Sequence, residues 1–74
     1  MRRSEFTELS DHVFGVVLAR TYRQELVLEE FGGLSADEAI DQGEPVRRVW
    51  TALCDAMDVP EDRRWEIPPD ERRR

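Results

Sequence analysis

Lysine and asparagine are absent from this 74-residue sequence, and cysteine and histidine occur once each. Both missing types use adenine-rich codons, so a GC-rich genome explains their absence without any appeal to binding chemistry. A lone Cys54 excludes an internal disulfide and fits a reducing cytoplasm. One cysteine and one histidine (Cys54, His12) cannot supply the four ligands of a structural zinc site. Long apolar runs are missing too. The longest, "VFGVVLA" at residues 13–19, is far too short to cross a membrane. Glu5, Glu8 and Asp11 precede it where a secretory signal would carry positive charge, so the run reads as core and the protein as cytoplasmic.

Positive charge is also in short supply. Eleven basic residues, all arginine, face seventeen acidic ones, for a net charge of −6. Residues 1–62 hold six arginines and fourteen acids, a net −8, while residues 63–74 hold five arginines and three acids, a net +2. A body of that sign repels phosphate and suits cationic partners. A chain this short buries only about 60% of the surface its unfolded form exposes. Shallow binding surfaces therefore suit it better than a deep catalytic cleft.

What remains is helical grammar. Ser4 can cap a first helix, with Glu5 and Glu8 at the positive end of its dipole and Phe6, Leu9 and Val13 as its apolar stripe. Gly15 marks a break. A second helix is expected from about Val16 to Phe31, with Leu18, Tyr22, Leu26 and Val27 inward and Arg20, Arg23, Glu29 and Glu30 solvated. Gly32-Gly33 stops it. Ser35-Ala36-Asp37-Glu38 is a capping box that opens a short third helix ending at Gly43. Pro45 suits the first turn of a fourth, in which Val46, Val49, Trp50, Leu53 and Met57 form a single stripe. Pro60 disfavours helical geometry at Val59 and ends it near Asp58.

The expected fold is thus all-α, a compact small domain of four helices over residues 1–62 with the third one short. The core is Phe6, Leu9, Val27, Phe31, Ile40, Val49, Trp50 and Leu53. Residues 63–74 read as a flexible tail containing arginine and proline, although Trp65 or Ile67 could fold back.

The segments "MRRSEF", "FG" at 14–15, "LVLEEFGGLSADEAIDQG" and "VWTALCDAMDVP" together resemble a small actinobacterial domain-of-unknown-function family, number 3046. The resemblance covers roughly residues 1–62. It implies a compact helical fold and genes that often lie beside those for the recombinase A protein and its regulator. It brings no activity, cofactor or catalytic residue, and nothing carries over to the arginine-rich segment after Pro60.

Four chemistries are conceivable for these residues. The first is a DNA-reading helix-turn-helix over residues 35–58. Ala39, Gly43 and Val49 have the relative spacing of such a motif, and Arg47 and Arg48 open its second helix. Against it, Glu38, Gln42 and Glu44 stand where apolar residues belong, and Arg47 and Arg48 share their face with Thr51, Asp55 and Asp58. An acidic body is poorly made to neutralise phosphates. A tight helical hairpin explains the same spacing. The second is a Cys54–His12 nucleophile and base, against which stands the habit of cysteine to act as a small buried hydrophobe. The third is a metal site at Asp37, Glu38 and Asp41, which lack calcium-loop spacing and are explained by capping. The fourth is a protein-binding anchor: Trp50 reads as core, and Trp65 beside Arg63 and Arg64 reads as the better candidate. The favoured expectation is a non-enzymatic protein that binds another protein and carries no catalytic, cofactor or metal site. Its candidate interaction residues are Arg47, Arg48, Thr51, Asp55 and Trp65, and the alternative is the DNA-binding regulator.

Overall fold

The structure is a computed structural model, and it describes residues 1–65. Four helices pack around one core, joined by a two-stranded antiparallel hairpin: α1 (Arg3–Phe14), α2 (Val16–Glu25), β1 (Val27–Leu28), β2 (Leu34–Ser35), α3 (Ala36–Asp41) and α4 (Val46–Ala56). Two 3-10 turns, Glu29–Phe31 and Glu61–Arg63, complete the elements of the described residues. The all-α expectation holds, with α3 the short helix.

Helix α1 begins two residues earlier than a Ser4 cap would set it. Glu5 supplies the reason: its Oε1 accepts the Arg2 amide at 2.8 Å, which makes Arg2 the cap residue. Phe6 and Leu9 are buried and Val13 packs beside them, as the stripe requires. Gly15 alone separates α1 from α2, with φ +85° and ψ +148°. That region is open essentially only to glycine, so a single residue turns the chain and folds α2 back against α1.

Helix α2 departs from the sequence reading in length and in facing. It stops at Glu25, because Leu26 turns extended and residues 27–28 pair with 34–35 in the register Val27↔Ser35 and Leu28↔Leu34. Alternation along that strand buries Leu28 and leaves Val27 59% exposed, so Val27 is not a core residue. The buried position on α2 is Ala19 rather than Leu18, one step round the helix, with Tyr22 and Leu26 partly buried on the same side. Arg23 is not solvated either. Its guanidinium, 13% exposed, donates to the fully buried Ser10 Oγ at 2.6 Å and to Asp11 Oδ1 at 3.1 Å. The pair ties α2 to α1 through a polar contact that burial strengthens.

The third and fourth helices follow their sequence signals closely. Ser35 Oγ accepts the Glu38 amide at 3.2 Å while Glu38 Oε1 accepts the Ser35 amide at 2.9 Å, so the capping box is complete. Helix α3 ends in a Schellman turn: Glu44 N–H bonds Ala39 C=O, Gly43 N–H bonds Ile40 C=O, and Gly43 takes φ +101°. Helix α4 ends the same way, but with Asp58 in the left-handed position at φ +56°. Its amide bonds Asp55 C=O, and the Val59 amide reaches back to Cys54 C=O. Val49, Trp50, Leu53 and Cys54 of α4 are fully buried, and Ile40 of α3 is partly so.

Aromatic rings organise this core. Trp50 meets Phe6, Phe14 and Trp65 edge-on, with centroids 5.9, 6.2 and 6.4 Å away, and Phe14 meets Tyr22 at 5.2 Å. Such pairs contribute about 0.5–1.5 kcal/mol each beyond the area they bury.

Candidate interaction surface

The five residues expected to make contacts lie on the outer side of α4 and in the turn after it, and each is already engaged within the chain. The Arg47 guanidinium sits over the Trp65 ring, 4.8 Å from its centroid. Arg48 lies over Phe31 at 5.3 Å; its Nε is 3.0 Å from Glu30 Oε2 and its Nη1 3.7 Å from Glu44 Oε1. Thr51 Oγ1 donates to the carbonyl of Arg47 at 3.0 Å. Asp55 Oδ1 is 2.8 Å from Arg64 Nη2. Trp65 folds back on Trp50, and the indole N–H of Trp50 donates to the Arg64 carbonyl at 3.1 Å. Arg64 Nε also donates to the Val59 carbonyl at 2.9 Å. These contacts bind residues 59–65 to α4 as a strap. Ile67, the other residue considered for folding back, lies outside the described residues.

The acidic cluster on α3 is similarly occupied. Asp41 Oδ1 is 2.7 Å from Arg3 Nη1 and Asp37 Oδ1 is 3.5 Å from Arg3 Nη2, while Glu38 closes the capping box. The hydrogen bond to Asp41 leads the causes that raise the Arg3 pKa further above its ordinary value. Among the described residues no group of three histidine, cysteine or carboxylate side chains is placed to hold a metal ion.

Cys54 is fully buried at the inner side of α4. Burial pushes its thiol pKa up to about 12, opposed by the nearby Arg64 charge and assisted by Asp55 and Glu61. A thiol in that state holds its proton at neutral pH, which removes the nucleophile from the Cys54–His12 pairing.

An exposed apolar surface lies elsewhere, within the run at residues 13–19 that the sequence pattern assigns to the core. Val16, Val17 and Leu18 open helix α2 with 68%, 78% and 51% of their surface exposed. Beside them runs an open groove of about 360 Å³, walled by Val13, Phe14, Leu18, Tyr22, Met57, Val59 and Pro60, with Asp58 and Arg63 in the same wall. Three consecutive helical residues span about 200° of the helix circumference, twice the width of an ordinary buried stripe. That arithmetic was the available signal: α2 could bury one of the three only by exposing another. Ala19, fully buried, is the residue that α2 turns inward.

Residues 1–62 match the sequence model of a family described as "Protein of unknown function (DUF3046)". The chain belongs to this family. No curated protein and no solved structure gives a significant match. The DUF3046 match ends at residue 62, whereas the Arg64 carbonyl and the Trp65 ring that close over Trp50 lie just beyond it. No helix of the described residues is long and apolar enough to cross a membrane.

Proposed function

We propose that this protein is a non-enzymatic protein-binding module that docks through the Val16–Leu18 surface and its adjoining groove. The observation that carries the reading is the exposure of three successive apolar side chains on an otherwise charged molecule. Runs of exposed apolar residues are costly in solution and mark interaction sites. The groove is open and mixes apolar side chains with Asp58 and Arg63, and burial raises the pKa of the Cys54 thiol; both favour binding over catalysis.

The DNA-reading alternative loses support at its own residues. Arg47 and Arg48, the cations that would meet phosphate, are held by Trp65, Glu30 and Glu44. Freeing them for a duplex costs those contacts, and residues 1–62 remain at −8. A narrower reading, that the partner belongs to the recombination and repair machinery of the cytoplasm, rests on the gene neighbourhood that the family resemblance implies. The acidic body suits a cationic DNA-binding protein in that role.

Capture from native lysate, with the wild type and a Val17→Ser/Leu18→Ser variant side by side, tests the reading. One partner enriched by the wild type and lost with the folded variant is the expected result. Equal capture by both proteins, or recovery of duplex DNA instead, contradicts it. A partner unrelated to recombination ends the narrower reading alone.

A further inference from the structure

The charges beside the groove say what kind of chain fills it. We infer that the Val16–Leu18 surface and the groove receive a basic amphipathic segment of the partner, with an apolar side chain in the groove and a lysine or arginine beside it. The inference rests on the protein-binding reading above. The groove's volume of about 360 Å³ lies at the small end of binding sites. It has room for an anchoring side chain rather than an entire helix, and the exposed valines beside it extend the apolar footing.

The ends of this surface differ in sign. At the Pro60 end, Asp58 stands in the groove wall and Glu61 and Asp62 follow in the adjoining 3-10 turn, all exposed. Among the described residues none of the three forms an ion pair. One cation, Arg63, lines the wall against them; its neighbour Arg64 is held by Asp55. At the Val16 end, Asp11 is neutralised by Arg23, and Arg20 adds a positive charge. An incoming cation therefore finds its place at the Pro60 end, which orients the segment as well as attracting it. A second copy of this chain fits poorly, since it would bring the same three carboxylates and a net charge of −6 to the contact.

The test is an NMR titration of the ¹⁵N-labelled full chain with a short amphipathic Leu/Lys peptide and with a Leu/Glu peptide of the same pattern. Shifts at the amides of residues 13–22 and 57–63, with the Leu/Glu peptide weaker by about tenfold or more, are expected. Asp58→Asn/Asp62→Asn should weaken the Leu/Lys peptide about threefold, and Val17→Ser/Leu18→Ser about tenfold, with both variants folded by the dispersion of the same spectra. Comparable affinity for the Leu/Glu peptide at these amides overturns the basic partner while leaving a protein-binding surface in place. Shifts spread over other acidic surfaces overturn the location. Concentration-dependent shifts at the same amides without peptide would assign the surface to a second copy. The protein-binding reading itself fails separately, when lysate capture ignores Val17 and Leu18.

Discussion

Asp58 and Cys54 show what single side chains contribute here. Asp58 ends α4 in a left-handed conformation that most side chains enter at a cost of roughly 1 kcal/mol and glycine enters freely. Asp58→Gly should therefore raise the stability by about 0.5–1 kcal/mol, read as a shift in the urea midpoint at constant slope. Cys54 makes the opposite case, a reactive group silenced by burial. Its thiol should resist iodoacetamide at pH 8 in the native protein and react at once in denaturant; fast native labelling would show the pocket to be open. Because the thiol pKa is raised to about 12 from 9.0, the native state keeps a proton that the unfolded state releases above pH 9. This contribution is full below pH 9 and is lost as the pH rises toward 12.

At the scale of elements, the parts written in local grammar were legible. Ser35 and Glu38 announce α3, Pro45 and Pro60 bracket α4, and the Val49-Trp50-Leu53 stripe gives its buried face, because caps and periodicity act over a few residues. Ser35→Ala should cost about 1 kcal/mol in thermal or urea unfolding, since it removes the acceptor for the Glu38 amide. The hairpin was not legible: strands of two residues are too short for alternation to register, and Leu26 to Phe31 continue the helical spacing. Nor was the facing of α2. Leu18 and Ala19 are neighbours on the helix, and tertiary contact with α1 and α3, not hydrophobicity, chose the smaller one for the interior. The exposed apolar surface at Val16–Leu18 follows from that choice. The residues singled out on α4 were the polar ones, and in the fold they hold Trp65, Glu30, Glu44 and Arg64 instead of facing outward unpaired.

The whole molecule is a small core closed by its own C-terminal strap. Trp50 is fully buried, and its indole N–H finds its acceptor in Arg64, beyond the end of the family match. A chain ending at residue 62 should lose about 1–3 kcal/mol through the orphaned donor and the lost ring contact, with a red-shifted Trp50 emission. Held together in this way, the molecule engages the arginines on and beside α4 and leaves apolar surface at α2. Under the proposed reading, that surface suits a protein partner better than phosphate.

In-cell photo-crosslinking tests this account most directly. A photoreactive residue at Val17, compared with one at the exposed Glu29 in the 3-10 turn after β1, reads the surface in the intact chain. The account predicts one discrete protein adduct from position 17 and none from position 29. No adduct from position 17, or the same adducts from both, would contradict it.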